Sequence, residues 1–145
     1  MRIVYTPFNF RRDWKWVNKQ VPVLHSEDTI GIMAVDTFKR SPVGACIMDN
    51  WTNNSVQCHF MLTTPLVLKH GFLEECFGFI FKNQNVNFVY GLVPSDNEKA
   101  LKFNKHMGFT EKTRLEGAYD VGVDYVLMQL KRADCRFIPQ LAEAA

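Results

Sequence analysis

What this sequence lacks narrows its function before any motif is read. It has no Cys-x-x-Cys pair: Cys46, Cys58, Cys76 and Cys135 stand far apart, and His25, His59, His70 and His106 are equally dispersed. The ligand spacings of zinc sites are missing, so no metal is expected. A free cysteine in an apolar stretch behaves as a small hydrophobe, and no disulfide framework is expected either. An excess of one charge is also lacking. Lys and Arg number 17 against 15 Asp and Glu, a net charge of +2, far from the basic balance that marks a nucleic-acid binder. Arg11, Arg12, Lys15 and Lys19, close to Trp14 and Trp16, read as the solvated face of an amphipathic helix. The longest apolar stretch, residues 66–81, is interrupted by Lys69, His70, Glu74 and Glu75. It reads as a core helix and not as a membrane span. Met1-Arg2-Ile3-Val4-Tyr5 opens no leader with a small-residue cleavage site, so a cytoplasmic location is expected.

What is present is the composition of one globular domain, 47% hydrophobic and 22% charged over 145 residues, long enough to bury a real core. Residues 2–6 form a short apolar alternation, a first strand. Asn9 is placed to cap a helix over residues 11–19, which Pro22 ends. Residues 29–36 and 43–51 read as strands separated by the turn residues 39–42, and the Asn-rich residues 50–54 turn into a further strand at 55–62. The period then changes from two to 3.6. Thr64-Pro65 opens a helix expected to run to Lys82. A strand at 88–93, a helix at 97–107 capped by Ser95 or Asp96 and ended by Gly108, and strands at 109–116 and 123–131 complete the chain. The expected order is β-α-β-β-β-α-β-α-β-β. It describes an α/β (α+β) fold with a mixed, mostly antiparallel sheet flanked by helices. The domain is expected to span residues 1–137, with a tail at 138–145 that frays.

That order, together with particular segments, resembles the GCN5-related N-acetyltransferase (GNAT) family. Asn97 to Phe109 is similar to the family's N-x-x-A-x-x-x-Y-x-x-x-G-F segment: Asn97, Ala100, Gly108 and Phe109 match, and Asn104 stands at the tyrosine position. Further segments resemble phage-encoded members: Asp49-Asn50-Trp51-Thr52 through His59, Phe77 to Phe81, the pair Arg114-Leu115-Glu116-Gly117-Ala118 and Gly122-Val123-Asp124, and Asp134-Cys135-Arg136-Phe137. Together they span about two thirds of the chain.

The resemblance implies an acyl-CoA-dependent N-acyltransferase using acetyl-CoA as co-substrate, with a small-molecule or protein amine as acceptor. Such chemistry needs backbone donors for a pyrophosphate, an unpaired strand edge for the pantetheine arm, and a way to deprotonate the amine. It assigns the strand edge to Phe60, Met61 and Leu62, the pyrophosphate to Thr63, Thr64 and Lys69, and further cofactor contacts to Asn97 and Phe103. The family's glycine-rich phosphate loop is absent; Leu68-x-x-Gly71 is at best a remnant. An amide has no proton to give near neutral pH, so Asn104 cannot serve as the general acid. His59 is the candidate base, since imidazole is the side chain that changes charge nearest neutral pH. A structural hydrogen-bonding histidine is the competing reading of His59. The missing glycines and Asn104 also motivate a second functional reading. In it, a GNAT-fold phage protein without transfer activity serves as a binding or virion-assembly component. The first reading places the protein in the host cytoplasm, the second in the virion, and a homodimer or a phage protein partner is open in either case.

Overall fold

The computed structural model describes residues 1–139. Seven strands form one sheet in the order β1-β2-β3-β4-β5-β7-β6. The elements are β1 Ile3–Pro7, α1 Phe10–Gln20, β2 Ile30–Asp36, β3 Ser41–Asp49, β4 Ser55–Leu62, α2 Phe72–Gly78, β5 Phe88–Pro94, α3 Glu98–Met107, β6 Thr110–Asp120 and β7 Val123–Lys131. All neighbouring strands are antiparallel except β4 and β5. The expected element order holds.

Local chemistry explains the boundaries. The Asn9 side chain accepts from the Arg12 amide (2.9 Å) and the Asp13 carboxylate accepts from the Asn9 amide (2.8 Å), so α1 starts with its first donors satisfied. Asp13 is buried and paired to Arg12 at 2.9 Å, which explains a charge inside. Asn97, not Ser95 or Asp96, caps α3: its side chain accepts from the Ala100 amide (3.1 Å). Gly108 ends that helix at φ 103, where L side chains are strained.

The helix expected from Thr64 to Lys82 is three pieces. A 3-10 turn, Pro65–His70, ends at Gly71 in the left-handed region (φ 80); α2 follows, and Phe79–Asn83 widens into a π turn. The cause is Gly71, whose positive φ breaks the α-helical run. β6 also runs longer than expected, to Asp120, through irregular pairing between Leu115 and Asp120. There Gly117 takes φ 65 and its amide donates to Asp124 Oδ1 (2.9 Å). A bulge of this kind needs a residue that tolerates positive φ.

Two cores lie on the two sheet faces. The larger packs α2 and α3 against the sheet around Phe72, Phe77, Ile80, Phe81 and Met107; the smaller packs Val17 of α1 against Met33, Ala45, Ile47 and Met61. The β3–β4 turn and the stretch 134–137 are tied into the fold by side-chain contacts. Thr52, Ser55 and Asn54 tie the β3–β4 turn through side-chain hydrogen bonds, and Asn54 accepts from Asn87 (2.7 Å). Phe137 stacks on Phe77 at 5.7 Å, with Arg136 over its ring at 4.3 Å. Ile138, assigned to the tail, is buried in the larger core. Of the expected tail, residues 140–145 lie outside the described residues. No helix among the described residues is long and apolar enough to cross a membrane.

Candidate active site

The site originates in one break in sheet pairing. β4 and β5 pair in parallel only from Ser55/Phe88 to Gln57/Tyr90. Beyond that point β4 stays paired to β3 as far as Gly44/Leu62, and β5 stays paired to β7 as far as Pro94/Tyr125. Each strand keeps its outer partner while the inner edges part. Among the described residues, the β4 backbone after Gln57 therefore has no strand partner on its β5 side. An unpaired edge beside a sheet core must find donors and acceptors elsewhere, and an extended chain laid along it supplies them.

A cleft of about 380 Å³ opens at this break. Its walls include Phe60, Met61, Leu62, Thr63, Thr64, Asn97 and Phe103, the expected cofactor residues save Lys69. Phe60 and Phe103 meet edge to face, with ring centroids 6.4 Å apart. Sequence reading missed Gln20 and Val21, from the end of α1, and Lys99, the only cation among the described wall residues. Lys99 sits two residues after the Asn97 cap, which was a usable signal. Gln20 and Val21 arrive from across the fold, and nothing local announces them.

Asn97 serves two directions at once. Its oxygen is committed to the α3 cap, which leaves the amide Nδ2 as the group it can offer to the cleft. We predict that Asn97→Asp keeps the cap and melts within about 0.5 kcal/mol of wild type, since Asp caps as well as Asn. The same change replaces a donor by an anion, and affinity for coenzyme A, measured by calorimetry, is expected to fall about tenfold or more.

The start of the 3-10 turn is a poorer anion cradle than the sequence suggests. Pro65 has no N–H, the Leu66 amide donates to Thr64 Oγ1 (3.3 Å) and the Val67 amide to the Thr64 carbonyl (3.3 Å). Asn104 donates its Nδ2 to the Ala100 carbonyl (2.9 Å) within its own helix.

His59 lies one residue before Phe60 and so points to the opposite sheet face. Phe60 packs on Phe77 with ring centroids 5.6 Å apart, whereas His59 shares its face with Met61, on the α1 side. It does not line the cleft itself. Its Nε2 lies 3.1 Å from Oδ2 of the buried Asp49. Asp49 pairs with Gln57 across the β3–β4 hairpin, which sets it diagonal to His59. On the same face Tyr90 pairs with Gln57 at the last closed rung of β4 and β5. Burial, with the Asp49 charge adding to it, pushes the Tyr90 phenol above its ordinary value. Sequence reading singled out His59 but neither Asp49 nor Tyr90. Of the other histidines, His25 is packed against Phe10, ring centroids 4.1 Å apart, and His70 accepts from the Tyr5 hydroxyl through its carbonyl.

No family model and no curated protein matches the chain. Solved structures do. Spermidine/spermine N-acetyltransferase SpeG from Vibrio cholerae, in complex with manganese ions, superposes with a TM-score of 0.73 at 12% identity, over 91% of this chain and 94% of that one. Spermidine N-acetyltransferase from the same organism, in complex with CoA and spermine, gives 0.69 at 14% identity, over 91% and 96%. At these identities the likeness establishes the architecture: a single α+β domain with the GNAT fold.

Proposed function

We propose that the protein is an acyl-CoA-dependent N-acyltransferase that moves an acetyl group from acetyl-CoA to a primary amine. The observation that carries this reading is the cleft at the β4–β5 break, where an unpaired strand edge, a free amide donor and a lysine converge. It is supported by the fold it shares with N-acetyltransferases, one of them solved with CoA and spermine.

In this reading the backbone of Phe60, Met61 and Leu62 pairs with the amide-bearing pantetheine arm as a missing strand would. Asn97 Nδ2 donates to the same arm, and Phe103 packs against it. The Thr64 hydroxyl, which accepts from the Leu66 amide and keeps its own O–H, faces the phosphates, while the Thr63 hydroxyl is donated to the Val43 carbonyl (3.2 Å); Lys99 supplies the countercharge that the resemblance assigned to Lys69. Bound acetyl-CoA brings an acyl group already activated as a thioester, so the protein's own task is to place the amine and remove its proton. His59 takes that proton. Polyamines such as spermine, which the V. cholerae enzyme binds, are the first acceptors to test.

The test is release of free thiol from acetyl-CoA with spermine and a panel of simple primary amines. The reading requires release above the rate without protein. Binding of coenzyme A with no release for any amine favours the second reading, a GNAT-fold phage component that binds without transferring; the Asn104 amide, which has no titratable proton, and the occupied amides after Thr64 are the observations on its side. The two lysines separate the phosphate assignments. Lys99→Glu is expected to weaken coenzyme A binding about tenfold, roughly 1.4 kcal/mol, whereas Lys69→Glu changes it less than about twofold. The opposite order in calorimetry would return the phosphates to the far end of the 3-10 turn.

A further inference from the structure

The Asp49–His59 contact carries more than the choice of a base. Asp49 is buried at the end of β3, and its Oδ2 lies 3.1 Å from His59 Nε2. Its other oxygen, Oδ1, is buried with no hydrogen-bond partner among the described residues. No hydrogen bond reaches His59 Nδ1 among the described residues, and the ring keeps a fifth of its surface exposed. A carboxylate is acceptor-only, so the hydrogen on a neutral imidazole that meets it must sit on the nitrogen facing it. That nitrogen is Nε2. The lone pair of the neutral ring is then on Nδ1, the nitrogen that no group among the described residues engages by a hydrogen bond.

We propose that Asp49 is a positioning residue, which accepts the Nε2–H of His59, fixes the neutral imidazole as the Nε2–H tautomer, and leaves Nδ1 as the atom that takes the acceptor's proton. The proton step balances. An N–H bond of the ammonium breaks, an Nδ1–H bond forms, the amine keeps the electron pair it needs for attack, and the positive charge passes to an imidazolium held against the Asp49 carboxylate. The tautomer assignment stands on the hydrogen bond alone. The identity of the proton donor rests on the N-acyltransferase reading above.

The experiment uses the full chain labelled with nitrogen-15 in histidine. Nuclear magnetic resonance at mildly alkaline pH reads which ring nitrogen of His59 carries hydrogen, and His59→Gln identifies the signal by its loss. The expected result is hydrogen on Nε2 and a bare Nδ1. Hydrogen on Nδ1, or rapid exchange between both tautomers, would overturn the proposal, and neither outcome depends on any activity. Asp49→Asn is the second arm. Its amide can donate to Nε2 and so favour the other tautomer. With acetyl-CoA and spermine as probes, kcat is expected to fall on the order of 10²–10⁴-fold with KM for acetyl-CoA changed less than about twofold. An Asp49→Asn protein that keeps wild-type kcat would overturn the proposal. If wild type shows no thiol release with spermine, the N-acyltransferase reading fails for that acceptor while the tautomer measurement still decides the role of Asp49.

Discussion

His59→Gln is expected to lower turnover on the order of 10²–10⁴-fold, the usual cost of losing a general base. The same substitution tests the competing role of this side chain, because the two roles predict different observables. His59 is the hydrogen-bonding partner of Asp49 Oδ2, and Asp49 already has Oδ1 buried with no partner among the described residues. If the histidine only satisfies that carboxylate, its loss leaves a buried acceptor short. That should cost about 1–3 kcal/mol of stability while the folded fraction works at full rate. Turnover and urea denaturation measured on the same preparation separate the cases. A variant that melts early but keeps wild-type turnover per folded molecule would remove His59 from the mechanism. A fall in turnover at nearly unchanged stability would place it there.

The largest expected effect on stability is at Phe77. The ring is fully buried in α2 and contacts Phe60, Phe81, Phe109 and Phe137, with centroids 5.6, 6.0, 6.3 and 5.7 Å away. These partners come from β4, the π turn, the segment after α3 and the carboxyl-terminal residues, so one side chain ties four parts of the chain. Phe→Ala at such a site costs about 3–5 kcal/mol, the lost transfer energy plus the cavity. Against a typical total of about 5–15 kcal/mol, that is a large share of the fold's stability. The midpoint of urea unfolding should drop accordingly with little change in slope. A loss under about 1 kcal/mol would show that the aromatic cluster repacks around the gap. Phe60 backs the cleft, so the variant should also bind coenzyme A less tightly at temperatures well below its melting point.

Much of this architecture is legible in the sequence because its boundaries are set by local chemistry. Asn9 and Gly108 act through the adjacent backbone, and each sits where its residue type suggests, whereas the α3 cap falls on Asn97, one or two residues beyond the expected Ser95 or Asp96. The Thr64–Lys82 region defeats the same reasoning for a physical reason. A 3-10 turn, a short α-helix and a π turn in succession average to a period close to 3.6, and only the φ of Gly71 reveals the break. The site divides in the same way. Phe60, Met61, Leu62, Thr63 and Thr64 are consecutive, and Asn97 and Phe103 belong to one recognisable segment, so resemblance finds them together. Asp49 and Tyr90 require cross-strand register, since each becomes a neighbour of the His59 face only through its pairing with Gln57. Gln20 and Val21 require the packing of α1, and no pattern in their own neighbourhood encodes it. Lys69 follows the expected loop in sequence but does not line the cleft, whose wall includes Lys99.

The central claim is that the break between β4 and β5 is a coenzyme A site. Titration calorimetry of the wild-type chain with coenzyme A, paired with Asn97→Asp, tests it most directly. Saturable one-to-one binding is expected, weakening about tenfold or more in the variant, with a thermal stabilisation of ~2.7 kcal/mol when ligand is held at about 100 times its dissociation constant. Absence of binding to the wild-type protein, or equal affinity in both, would contradict it.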